Sequence, residues 1–189
     1  MSSAQCRLLT QNRHWTLTCY ADFYVFCYNL KIDPSKGVTM GEKTMPITGG
    51  CLCGAVRYEA TGEPTWVAHC HCRMCQQAYG HVSGIFVGFA KGGLRFTEGA
   101  PKIYKSSAWA GRGFCVECGS PLGMRSGTGG HAVLVGTLDH PEEWPPNEAH
   151  SGIESQIPWD IIHDDLGSWR TEDDYAFIAG KEAAERGEV

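Results

Sequence analysis

His69-Cys70-His71-Cys72-Arg73-Met74-Cys75 packs three thiols into six residues and sets a histidine in front of each of the first two. Outward from it lie two more short-spaced pairs, Cys51-Leu52-Cys53 upstream and Cys115-Val116-Glu117-Cys118 downstream. Each pair can offer two sulfurs to one tetrahedral ion from a short turn. Seven of the ten cysteines therefore follow a two, three, two arrangement. A structural zinc closes its shell with four protein ligands, whereas a catalytic zinc typically takes three and leaves one position for water or substrate. Cys51 and Cys53 lack two ligands, as do Cys115 and Cys118, so the outlying pairs complete one another. Cys70, Cys72 and Cys75 remain as a local three-thiolate site with an open position, where chemistry is expected. The arrangement predicts two Zn2+ ions per chain.

Three ordered motifs also carry a resemblance. They are Gly49-Gly50-Cys51-Leu52-Cys53-Gly54-Ala55-Val56-Arg57-Tyr58, the central His69 to Cys75 run, and Gly113-Phe114-Cys115-Val116-Glu117-Cys118-Gly119-Ser120-Pro121-Leu122. Together they resemble the glutathione-dependent formaldehyde-activating enzyme family, which shares its domain with centromere protein V. The resemblance runs from about Pro46 to Trp169. It implies a mainly β, Mss4-like fold of antiparallel sheets organised around zinc, with few short helices. It also matches Cys51, Cys53, Cys115 and Cys118 to the family's structural zinc ligands, and Cys70, Cys72 and Cys75 to its catalytic ones. The activity implied is that of a carbon–sulfur lyase forming S-hydroxymethylglutathione from glutathione and formaldehyde.

At 189 residues the chain fits one domain with room for a hydrophobic core, so zinc supplements apolar burial here. A formal charge of −5 with only 16 Lys and Arg argues against a nucleic-acid backbone as partner, because that binding draws on clustered cations. Ten cysteines could be read as disulfides of a secreted protein, but short-spaced pairs with a distant matching pair read as a metal site in a reducing compartment. A cytoplasmic protein acting on a small-molecule thiol, with neither nucleic acid nor membrane as partner, is the expectation. The most apolar stretch, Leu17 to Leu30, contains Asp22 and falls short of the ~18 apolar residues of a spanning helix.

Residues 1–45 read differently from the rest. Cys6, Cys19 and Cys27 fit no metal spacing. Three readings compete: a signal peptide, spoiled by Asp22; an added strand or hairpin; and, favoured, an extension ahead of the true start at Met40 or Met45. The division expected is an N-terminal extension over 1–45, a zinc-binding domain over 46–170 and a tail over 171–189. Within the domain, strands are predicted at 55–60, 84–89, 93–96, 102–106, 122–125 and 131–138, from β-branched or aromatic runs bounded by Gly, Pro or polar turns. A turn or two of helix is predicted at Arg73 to Ala78. A terminal helix is predicted from Glu172 to Arg186, with Thr171 as N-cap. Asp139 to Asp165 reads as a long ordered loop carrying Trp144, His150, Trp159 and His163, since adjacent prolines at 145 and 146 rule out a central strand there.

The bland reading of the outlying pairs is a set of unrelated buried thiols. That of the triplet is a second closed zinc, completed by His69, His71 or a distant histidine. In an extended segment His69 and His71 would point away from the sulfur of Cys70, which favours them as groups that orient the loop. A thiol at the open position would be held as thiolate, the form that attacks a carbonyl such as formaldehyde to give a hydroxymethyl thioether, or the reverse reaction would release it. Arg112, Arg125 and Lys105 are candidates for a substrate's carboxylates, and Tyr79 and His150 for proton transfer. Beside the enzyme stand two alternatives, a non-catalytic zinc-stabilised binding module of Mss4-like fold and, behind it, a nucleic-acid-binding zinc ribbon.

Overall fold

In the computed structural model, residues 46–188 except residue 128 are described; the readings placed on residues 1–45 lie outside them. In chain order the strands are β1 Thr48–Gly50, β2 Arg57–Ala60, β3 Trp66–Cys70, β4 Gly84–Phe89, β5 Leu94–Glu98, β6 Lys102–Lys105, β7 Ala110–Phe114, β8 Pro121–Ser126, β9 His131–Leu134, β10 Ala149–Ser151 and β11 Gly167–Trp169. Two α-helices accompany them, α1 Arg73–Tyr79 and α2 Tyr175–Glu185. The mainly β architecture expected from the sequence is present.

The strands form a three-stranded sheet, β1-β2-β5, and an eight-stranded sheet in the order β11-β10-β3-β4-β9-β8-β7-β6. β4 is buried at all but one position, the signature of a strand covered on both faces. β6 is exposed throughout and begins and ends with lysine, which discourages pairing at that edge. The sheets are joined where Leu138 bridges Gly49 and the Asp139 N–H donates to the Thr48 carbonyl. The main core includes Val56, Tyr58, Val87, Phe89, Leu122 and Val133. A smaller cluster of Cys75, Phe86, Ala132 and Leu134 packs with Trp66, Tyr79 and Met124.

Several expectations need correction. The pairing is not a purely antiparallel meander, because β10 runs parallel to both β3 and β11. The segment 139–165 is not all loop: it contains β10 and 3-10 turns at Pro141–Glu143 and Ile153–Ser155. The strand predicted over 131–138 stops at Leu134, and a 3-10 turn takes Val135–Thr137. The terminal helix begins at Tyr175, with Thr171 opening a separate 3-10 turn and the Asp174 carboxylate accepting from the Phe177 N–H. That helix lies against Trp109, whose ring meets Phe177 edge-on at 5.3 Å and leaves no room for a side chain at Gly180. Among the described residues no helix is long and apolar enough to cross a membrane.

Candidate metal centre

The two outlying cysteine pairs sit at the tips of two hairpins, β1–β2 in the small sheet and β7–β8 in the large one. Each tip is the same kind of knuckle. Cys51 N–H donates to the Val56 carbonyl and Gly54 N–H to the Cys51 carbonyl, while Cys115 N–H donates to the Ser120 carbonyl and Gly119 N–H to the Cys115 carbonyl. Gly54 and Gly119 turn with φ of +80° and +74°, a conformation that disfavours any Cβ. The turns bring all four sulfurs within 4.8 Å of one another. Cys51 and Cys53 are separated by 3.6 Å, and Cys53 and Cys115 by 3.9 Å. Tetrahedral sulfurs about 2.3 Å from a common zinc would stand roughly 3.8 Å apart, so the set fits that ion.

The local electrostatics agree with a dication as the missing charge. Cys118 is drawn down to about 5 by the Ser120 hydroxyl, 3.1 Å away, and then by backbone N–H groups. Cys53 is pushed up to about 12, because its Cys118 and Cys51 neighbours outweigh the favourable Ala55 N–H. Four thiols this close cannot ionise together unless a cation joins them. The Val56 N–H also donates to the Cys51 sulfur, and the Leu52 N–H crosses to the Ser120 hydroxyl, tying the upstream knuckle to the downstream one.

Cys70, Cys72 and Cys75 come together at the junction between β3 and α1. Cys70 lies 3.4 Å from Cys72 and 3.3 Å from Cys75, and all three sulfurs are within 4.8 Å of one another. Their local spacing produces this directly: Cys70 ends the strand, Cys72 is the N-cap residue and Cys75 lies in the first turn of the helix. Cys72 is drawn far down, first by the Cys70 thiol and then by Cys75, while Cys70 is driven far up by the same two neighbours. The junction is held by Gln76, buried on α1, whose Nε2 donates to the His71 and Ser155 carbonyls, each at 2.9 Å. Gly152 allows the loop to close, since a Cβ there would stand 2.7 Å from the Cys72 nitrogen. Neither Gln76 nor Gly152 was singled out from sequence; the position of Gln76 one turn after Cys72 was the available signal.

Along α1, and reaching the downstream knuckle, runs a cleft of about 470 Å³. Met74, Tyr79, Tyr104, Ser106, Arg112 and Gly119 are among its lining residues. Of the three cations considered from sequence, Arg112 lines this cleft, whereas Lys105 and Arg125 do not. Arg112 is 8% exposed, and its Nη1 donates to the Tyr79 hydroxyl at 3.0 Å and lies 3.5 Å from the Cys75 sulfur. Burial pushes the Tyr79 hydroxyl up to about 12, against the opposing charge of Arg112, so it stays protonated at neutral pH. Arg112 sits on β7 between Gly111 and Gly113; a side chain at Gly111 would strike Ile103 of β6 at 2.4 Å. That glycine-rich strand was not predicted.

His150 does not line the cleft. It joins His69 and His71 in a buried cluster, with the His69 and His150 rings stacked at 4.6 Å and the His71 Nε2 2.9 Å from the His150 Nδ1. Burial first, and then the neighbouring histidines, hold His69 down to about 4.

A family model described as glutathione-dependent formaldehyde-activating enzyme matches residues 46–151. A crystal structure of a Rhodobacter sphaeroides protein is similar at 24% identity and a TM-score of 0.40, covering 49% of this chain and 87% of that one. No curated protein matches the chain. Because the matched span takes in all seven clustered cysteines and more than half of the sequence, the chain belongs to the glutathione-dependent formaldehyde-activating enzyme family.

Proposed function

We propose that this protein is a zinc-dependent carbon–sulfur lyase of a reducing, cytoplasmic environment, joining the glutathione thiol to formaldehyde and running the reverse reaction from the adduct. Cys51, Cys53, Cys115 and Cys118 would hold a structural zinc, and Cys70, Cys72 and Cys75 a catalytic one. When bound, that second zinc would supply Lewis acidity at its open position, favouring the thiolate form of a substrate thiol. The observation that carries the reading is Arg112, whose guanidinium touches both the three-thiol cluster and the cleft beside it.

The chain's own groups then have defined tasks. Arg112 is a buried cation open to the cleft, suited to a carboxylate of an anionic peptide thiol. Its hydrogen bond orients Tyr79, whose protonated hydroxyl also lines the cleft and can donate to an oxygen on which negative charge develops. In the addition, the sulfur–carbon bond forms as the carbon–oxygen double bond of formaldehyde opens. The proton lost from the thiol balances the one gained by the new hydroxyl.

The reading is tested by exchange NMR on glutathione and formaldehyde, with and without the zinc-loaded protein. Faster formation of the hydroxymethyl adduct than in buffer is expected. Arg112→Met should retain both metals and raise KM for glutathione by about 10-fold or more, the loss of a charge-assisted hydrogen bond worth roughly 1.5–3 kcal/mol. If adduct formation keeps its buffer rate and no thiol perturbs the thiolate bands of the cobalt-loaded protein, the second cluster is a structural clamp and the binding-module reading replaces the enzyme.

A further inference from the structure

The alternation of His69, Cys70 and His71 along an extended segment gives its two faces different chemistry. One face carries the Cys70 thiol; the other carries His69 and His71. β10 pairs with β3 in parallel register, His150 opposite His69, so a third imidazole is set on the same face. The His71 N–H donating to the Ser151 carbonyl extends this pairing past the end of β3.

The three residues are at most 8% exposed, and each offers a ring nitrogen within 4.8 Å of the others. The His150 Nε2 stands 3.0 Å from both oxygens of Asp164. Hydrogen bonding inside the protein does not satisfy this group. If His150 donates from Nε2 to Asp164, its Nδ1 must accept from the His71 Nε2, and the Nδ1 of His71 is left as a buried acceptor. That atom, the Nδ1 of His69 and the Oδ2 of Asp160 are all buried without a hydrogen-bond partner. Asp160 and Asp164 both act electrostatically on His69. Three imidazoles thus share a buried region with the Asp164 carboxylate and with ring nitrogens that lack partners.

We propose that His69, His71 and His150 form a third metal site, taking a divalent transition ion of borderline softness, with Zn2+ the first candidate. Imidazole nitrogens suit such ions, and three of them leave a position open. The ion would replace the proton between His71 and His150, while the His150 Nε2–H stays on Asp164 and fixes the ligating tautomer. A carboxylate behind a ligating histidine is the arrangement that orients the ring and raises its basicity. The site shares β3 with the three-thiol cluster but uses none of its sulfurs, so it stands or falls separately from the proposed reaction.

Cobalt titration of the full chain separates the sites, because thiolate ligation gives intense charge-transfer bands and imidazole ligation gives ligand-field bands alone. Three equivalents are expected, with charge-transfer growth for two of them and ligand-field absorption without it for the other. His150→Ala should reduce the stoichiometry by one and leave the charge-transfer bands unchanged. Asp164→Asn, which changes a partly exposed carboxylate, should keep the third ion but weaken it by about 10–100-fold. If the wild-type protein takes up no ion beyond those producing charge-transfer bands, or if a non-thiolate ion persists undiminished in His150→Ala, the proposal is wrong. Failure of the charge-transfer bands themselves would count against the thiolate sites and leave the imidazole bands to decide this one.

Discussion

At Gly54 and Gly119 a Cβ would meet nothing within 4 Å, whereas at Gly123, with φ of +127°, it would stand 2.0 Å from the Ala132 carbonyl oxygen. The first two positions therefore demand only a left-handed backbone; the third also demands an absent side chain. Gly54→Ala and Gly119→Ala should each cost about 1–2 kcal/mol of conformational strain. Gly123→Ala should cost more than either, because the β8–β9 pairing must move to relieve the contact. Urea melts of the metal-loaded variants check the order, and equal midpoints for all three would contradict it. The glycine-punctuated thiol motifs were legible in sequence. The need for glycine at 123 was not, since its clash is with a neighbouring strand.

Two elements divide the proposed metal chemistry: the paired knuckles join one sheet to the other, while the β3–α1 junction holds its three sulfurs locally. Cys118→Ser should thus lose the cooperative melt, since structural zinc is worth ~10–16 kcal/mol apparent in small peptides and here closes a long loop. Cys72→Ser should abolish adduct formation while retaining near-native circular dichroism; comparable loss of structure in both variants would remove the distinction. A weaker tie sits nearby, where Asp139 receives Arg57 from β2 and Thr48 from β1. The Arg57 hydrogen bond, then Thr48, draws the Asp139 carboxyl below its ordinary 3.8. Its stabilisation is accordingly present above pH 3.8 and lost as pH falls through the lowered folded value. With the side chains 33% and 35% exposed, screening limits the contribution to under about 1 kcal/mol. Asp139→Asn should lower stability slightly at pH 7 and merge with wild type in acid, a trend read from denaturant melts across pH. Among the strands, β4 was legible from its β-branched and aromatic run. β7 hid behind its glycines, and β10 was too short to show inside a proline-rich segment.

On the scale of the whole described unit, the thiol clusters differ in what surrounds them as well as in ligand number. The four-thiol cluster spans two sheets, and the three-thiol cluster adjoins a cleft. We therefore expect two thiolate-bound zinc ions of unequal lability, a mild chelator removing the three-thiolate ion first, as followed by metal analysis against time. Simultaneous loss of both would show that the sites do not differ as their ligand counts imply. The mainly β class, the two, three, two grouping of the cysteines and the family were determined by sequence alone, because short-range cysteine spacing and strand periodicity are local properties of the chain. The tertiary structure decided what depends on partners far along it. It decided that Arg112, rather than Lys105 or Arg125, faces the cleft, which is lined by Tyr104 and Ser106 on either side of Lys105 and, from β8, by Pro121 rather than Arg125. It decided that His150 meets His69 and His71 instead of the cleft, because a parallel pairing across about eighty residues sets the register and no local pattern encodes it.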